Sequence, residues 1–108
     1  MPPPPPAKKL AVVACMDARV NVERILGLEG GDAHIIRNAG ALVTDDVKRS
    51  LATSRKLGTE RVVLMLHTDC GGRSGDLDAA VREDLPRLGP EARGYVYDVD
   101  TRELREVD

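Results

Sequence analysis

Runs of apolar residues alternate along the chain with stretches of helical spacing. Residues 10–14 (LAVVA) form an unbroken apolar run and predict a strand. Residues 21–28 follow with Val22, Ile25 and Leu26 on one side, the pattern of a short amphipathic helix. A second strand is predicted over residues 33–36. Thr44 then offers a helix cap, with Asp45 and Asp46 in the first turn, where negative charge is favoured. Val47, Leu51, Ser54 and Leu57 recur at helical spacing, Arg55 and Lys56 occupy the last turn, and Gly58 is a ready C′ residue. Residues 62–66 (VVLML) predict a third strand, and residues 76–88 a helix with Leu77, Val81, Leu85 and Leu88 on its buried face. Pro86 shortens that helix, because it lacks the amide proton a helix interior needs. Residues 95–99 predict a last main strand, with residues 101–107 pairing to it as a hairpin or trailing along the edge.

Strands that alternate with helices imply an α/β fold with a small, mainly parallel sheet. Strands lacking polar alternation fit a sheet covered by helices on both faces. The expected strand order is 2-1-3-4, with a possible extra C-terminal edge strand.

Composition narrows this picture. The 108 residues suffice for one domain, expected over residues 9–108 behind a proline-rich N-terminal arm, residues 1–8. A domain of this size buries about 65% of the surface its unfolded chain exposes. The core has to be aliphatic, since Trp and Phe are absent and the aromatics are Tyr95 and Tyr97. A net charge of -2 with interspersed signs argues against nucleic acid as a partner. No apolar run approaches the roughly 20 residues that span a bilayer, so no membrane partner is expected. The N-terminus MPPPPPAKKL lacks the apolar segment of a signal peptide. Pro2 to Pro6 predict a solvated polyproline II arm. The expected location is cytoplasmic, where Cys15 and Cys70 stay reduced.

The strand ends carry the candidate chemistry. The first strand runs into ACMDAR, which contains Cys15, Asp17 and Arg19. The third runs into LHTDCGG, which contains His67 and Cys70, and Gly71 and Gly72 let the backbone turn away. In a doubly wound sheet these two strands are neighbours whose crossovers leave in opposite directions, opening a ligand crevice at their carboxyl ends. Two thiolates and one imidazole are a ligand set for catalytic zinc with an open fourth position. Such a zinc lowers the pKa of its bound water to about 7. Two other readings fit the spacing: a cysteine nucleophile activated by His67, or two buried thiols beside an incidental histidine. The remaining histidine, His34, starts the second strand at the opposite end, and is expected to be a surface or core residue. Asp17 and Arg19 project to one side of an extended segment and suit a bidentate pair that keeps Asp17 ionised. That carboxylate would orient a metal-bound hydroxide or, turned inward, supply a fourth ligand. The competing reading is a surface ion pair worth little.

CMDAR and HTDCG, separated by a segment containing HIIRNAGALVTDDVKRSL, resemble the β-class carbonic anhydrases, closest to their short bacterial members. The resemblance runs from Leu10 to about Gly72 and returns at GYVYDVDTRELREV. It implies zinc held by Cys15, His67 and Cys70, with Asp17 and Arg19 as the catalytic dyad. The implied reaction is reversible hydration of carbon dioxide to bicarbonate and a proton. The implied assembly is a homodimer or higher homo-oligomer with active sites near the subunit interface. By the same resemblance the segment from Arg37 to Gly40 lies beside the pocket, where Ala39, Gly40 and Gly71 leave room for substrate. This chain departs from the family pattern by a shortened C-terminal half, a proline arm in place of an N-terminal helical extension, and Ala18 where many relatives have Ser. Two further functions fit the same scaffold: hydrolysis of carbonyl sulfide or carbon disulfide, and a non-catalytic shortened zinc-binding module.

Overall fold

Strand β1 (Leu10–Cys15) is the centre of the fold, and all six of its residues are buried. It pairs in parallel with β2 (Ala33–Asn38) on one side and β3 (Arg61–His67) on the other. Strand β4 (Ala92–Tyr97) extends the sheet beyond β3 in parallel, and β5 (Leu104–Val107) closes it antiparallel to β4. The five-stranded order is β2-β1-β3-β4-β5, so the predicted order stands with the C-terminal strand as a true edge. The structure is a computed structural model that describes residues 4–108. Pro2 and Pro3 of the predicted arm lie outside the described residues.

Alternate residues of β1 face opposite sides of the sheet, and each side has its own core. Ala11 and Val13 join Val62, Leu64 and Leu66 of β3 beneath helix α2 (Asp45–Lys56) and helix α3 (Leu77–Asp84). Leu10, Val12 and Ala14 join Met65 and Tyr97 beneath the short helix α1 (Val22–Leu26). The core is aliphatic apart from Tyr97.

Local signals set the helix ends. Thr44 Oγ1 accepts the Val47 N–H at 3.2 Å, and the chain leaves α2 through Gly58 at φ 115°. Leu57 does not join the buried face as its spacing predicted. It is the C-cap, with a non-helical backbone, and is 37% exposed. Helix α3 ends at Asp84, and a 3-10 turn over Leu85–Arg87 accommodates Pro86.

Strand β4 starts and stops earlier than predicted. Its first half reads as polar and small, yet a Cβ at Gly94 would collide with Val81 of α3, so glycine there lets the helix lie on the sheet. It stops at Tyr97 because Asp98 Oδ1 accepts the N–H groups of Asp100 and Thr101, at 2.9 and 3.1 Å, and turns the chain into the hairpin. Nor is the described part of the arm simply solvated. Pro6 is buried, and Ala7 and Lys8 donate to the carbonyls of Gly31 and Asp32, both at 2.9 Å.

Candidate metal centre

Cys15 is the last residue of β1 and His67 the last of β3, and the two strands are neighbours. Cys70 follows in the loop after β3, where Asp69 adopts φ 52° and reverses the chain. One ligand atom from each of Cys15, His67 and Cys70 lies within 4.8 Å of the others. The two sulfurs are 3.7 Å apart, far beyond the roughly 2.05 Å of a disulfide. That separation matches the edge of a tetrahedron with metal–sulfur bonds of about 2.3 Å, which gives about 3.8 Å.

His67 supplies the second test of fit. Its ring is 1% exposed, and Nδ1 lies 2.7 Å from the Thr68 carbonyl oxygen. A carbonyl only accepts, so Nδ1 carries the proton and Nε2 carries a lone pair. That lone pair is buried and has no hydrogen-bond partner. Unpaired buried polar atoms are rare and call for an explanation. A Lewis acid held between two thiols and this nitrogen supplies one, so the residues present fit zinc.

The thiols are electrostatically unequal. Burial opposes ionisation of Cys15, but hydrogen bonds led by the Gly40 N–H, 3.3 Å from its sulfur, bring the thiol down to about 7. Burial pushes the Cys70 thiol up. Cys15 is therefore the more readily ionised of the two thiols, and a bound cation would favour the thiolate form of both.

Asp17 and Arg19 form a bidentate pair. Arg19 Nε and Nη2 lie 3.0 and 2.7 Å from Oδ1 and Oδ2 of Asp17, and the Arg19 backbone N–H adds a third bond at 2.8 Å. These contacts hold the Asp17 carboxyl far below the usual carboxylate range and raise the Arg19 guanidinium further. Arg19 also donates to Asp69, at 3.0 Å to Oδ2 and 2.8 Å to the carbonyl. The dyad thus ties the loop after β1 to the loop after β3. Asp17 Oδ2 stands 3.8 Å from His67 Nε2, beside the three candidate ligands and outside the group they form.

The spacing of ligands along the chain gave no sign of the side chains that hold these loops. Arg37 donates from Nε to the Cys15 carbonyl at 2.8 Å, and from Nη2 to the carbonyls of Asp17 and Val20 at 2.8 and 2.7 Å. Its one sequence signal is its place in the RNAG segment. A cavity of about 270 Å3 adjoins the dyad and is lined by Cys15, Met16, Asp17, Ala39, Gly71 and Gly72. Ala39 and Gly71 thus border the site, whereas Gly40 lies behind the wall with its N–H on the Cys15 sulfur. Another cavity of about 270 Å3 lies between β2 and α2 and includes His34. Both ring nitrogens of that histidine already have partners, so it offers no free ligand atom.

The chain is similar to known proteins over nearly its whole length. The family profile described as carbonic anhydrase matches residues 10–101. Beta-carbonic anhydrase 1 of Mycobacterium tuberculosis is 41% identical over 139 residues, covering 97% of this chain and 85% of that protein. That alignment is longer than this 108-residue chain, so the relative carries residues with no counterpart here. A carbon disulfide hydrolase of Acidithiobacillus thiooxidans is 47% identical over 103 residues, covering 93% of this chain and 51% of that protein. Among solved structures, the carbonic anhydrase of Streptococcus mutans superposes with a TM-score of 0.86 at 39% identity, covering 95% of this chain and 83% of that one.

Proposed function

Because the chain belongs to the β-class carbonic anhydrase family, we propose that it catalyses the reversible hydration of carbon dioxide to bicarbonate and a proton, with zinc held by Cys15, His67 and Cys70. The observation that carries this reading is the buried, unpartnered Nε2 of His67 facing two thiols beside an intact Asp17–Arg19 pair. When bound, zinc supplies a Lewis acid and makes a water molecule acidic near neutral pH.

The protein's own groups do the rest. Asp17, held ionised by Arg19, can only accept hydrogen bonds. It takes the O–H of the attacking water and turns that oxygen's lone pair toward the substrate carbon. Arg19 fixes the carboxylate and, through Asp69, the loop that carries Cys70. Met16, Ala39, Gly71 and Gly72 give the cavity an apolar, small-residue wall suited to a short linear molecule without charge. Met16 is 67% exposed and Leu42 41%. Exposed apolar side chains of this size, with Met16 on the cavity wall, support a homodimer or larger assembly that covers the mouth. No described helix is long and apolar enough to cross a membrane.

A second reading, hydrolysis of carbon disulfide or carbonyl sulfide, is favoured by the carbon disulfide hydrolase relatives. These substrates share the electrophilic central carbon and differ from carbon dioxide in length. A non-catalytic module has no need of the dyad. The test is stopped-flow carbon dioxide hydration on protein of measured metal content and solution mass, with headspace assays for the two sulfur compounds. Asp17→Asn and Arg19→Ala are each expected to lower kcat/KM by about 100-fold or more while retaining metal. Zinc-loaded, folded protein inactive on carbon dioxide but active on a sulfur substrate selects the second reading. Inactivity on all three selects the module.

A further inference from the structure

We propose that Arg73, anchored by the buried Asp84, is a positioning residue that governs the electron donation of Cys15 by fixing the backbone that follows the Gly40 N–H. The inference rests on the metal-site reading above, but its evidence is separate.

Gly40 lies in the turn of residues 38–43 between β2 and α2, with its N–H on the Cys15 sulfur at 3.3 Å. The turn is held in an unfavourable conformation. Gly40 has φ 88°, and Ala41 has φ 52°, a region costly for a residue with a Cβ. Backbone of this kind persists only where its surroundings impose it. Within the turn, Asn38 brackets Leu42, donating to its carbonyl at 2.9 Å and accepting its N–H at 2.8 Å. The Gly40–Ala41 unit itself is held from outside by Arg73. Nε donates to the Gly40 carbonyl at 3.0 Å and Nη2 to the Ala41 carbonyl at 3.4 Å.

Arg73 is well placed to act as a clamp. Its Nη2 also lies 3.1 Å from Asp84 Oδ2, and the two side chains are only 13% and 10% exposed. A carboxylate this buried needs its cation, so the guanidinium is locked in orientation. Asp84 sits at the end of α3, and Arg73 follows Cys70 by three positions. One side chain therefore joins α3, the loop of Cys70 and the turn of Gly40. The backbones beneath it meet directly: a Cβ at Gly40 would stand 2.6 Å from the Gly72 carbonyl oxygen, and one at Gly72 would stand 2.6 Å from the Gly40 nitrogen. An N–H···S bond draws charge from a thiolate ligand, and such outer contacts are worth about 10- to 100-fold in metal affinity.

The decisive experiment compares wild type, Arg73→Met, Arg73→Lys and Arg87→Met. It uses Co2+ and Zn2+ as probes and records amide exchange at Gly40. Arg73→Met keeps the aliphatic stem and loses every donor. Its Gly40 amide is expected to exchange about tenfold faster, its metal affinity to fall about 10- to 100-fold, and its thiolate-to-Co2+ charge-transfer band to move to lower energy. Arg73→Lys retains a donor and should recover part of all three. Arg87 lies 3.6 Å from the same Asp84 and donates to the Val43 carbonyl at 2.9 Å, without a bond to Gly40. Arg87→Met should therefore leave band and amide unchanged. A protected Gly40 amide and unmoved band in Arg73→Met, or equal shifts in Arg87→Met, overturn the proposal. If Arg73→Met does not fold, Arg73→Lys against Arg87→Met decides by the same readings. A wild type that takes up neither metal sinks the zinc reading, while Gly40 exchange still decides the role of Arg73.

Discussion

The two histidines sit at opposite ends of the same, mainly parallel sheet and in opposite hydrogen-bonding states. His34, at the start of β2, has both nitrogens engaged: Nδ1 with Ser54 Oγ at 2.6 Å and Nε2 with the Pro4 carbonyl at 2.7 Å. The carbonyl fixes a proton on Nε2, so in the neutral ring Nδ1 accepts from Ser54, whose oxygen lies 2.6 Å from Thr59 Oγ1 and then accepts from it. That end of the sheet is closed, with every polar atom in the relay spoken for. His67, at the end of β3, is more deeply buried and has one nitrogen left over. The contrast teaches that burial of an imidazole does not mark a site. What marks it is a lone pair left unpaired, at a cost of about 1–3 kcal/mol, in a hole lined by thiols.

The comparison breaks most visibly on metal addition. Zinc at about 1,000 times its Kd stabilises a protein by about 4 kcal/mol, which raises Tm by about 15 °C or more for a domain this size. Calorimetry should find that rise in wild type and His34→Ala, and find it gone in His67→Ala and Cys70→Ser. A full zinc-dependent rise in His67→Ala would erase the distinction between the two ends. Ser54→Ala tests the closed end, because it strands His34 Nδ1 and the Thr59 hydroxyl together. Chemical denaturation should register a loss of about 1–3 kcal/mol with zinc binding unaltered. The smallest effect belongs to a pair remote from both histidines. Arg105 bonds Asp78 at 2.9 and 2.6 Å and holds its carboxyl below the ordinary range. A carboxylate depressed in the folded state stabilises above its ordinary pKa of about 4 and loses that contribution as pH falls. Asp78→Asn should therefore lower Tm slightly at pH 7, with the difference from wild type fading in acid.

How much of this was legible in the sequence followed the range of each interaction. Helix α2 was legible almost to the residue, because Thr44, the acidic first turn and Gly58 act on backbone within a few positions of themselves. The site was legible for a related reason: Cys15 and His67 end apolar strands, and parallel crossovers have few ways to connect. Leu57 misled, since its spacing continues the apolar face one residue past the end of the helix. Asp84 and Arg73 were invisible, and Arg37 was placed beside the pocket by resemblance but its bonds were not foreseen. Each meets groups that only the folded sheet brings near, and Arg37 and Arg73 bond backbone carbonyls, which any residue type supplies. Gly94 misled as well, because what it accommodates is Val81 of a helix packed across it.

The three candidate ligands also differ in how firmly they are rooted. Cys15 lies in register with Asn38, and His67 with Tyr97, so both belong to the hydrogen-bonded ladder at the middle of the molecule. Cys70 stands only partly buried in a loop. The site is built as an anvil and a latch: two donors that move only when the sheet comes apart, and one on a loop fastened by side chains, Arg19 on Asp69 and Arg73 on Gly40 and Asp84. Release of those two side-chain fastenings, not the opening of the sheet that anchors the other two donors, is what would free the Cys70 side of the site.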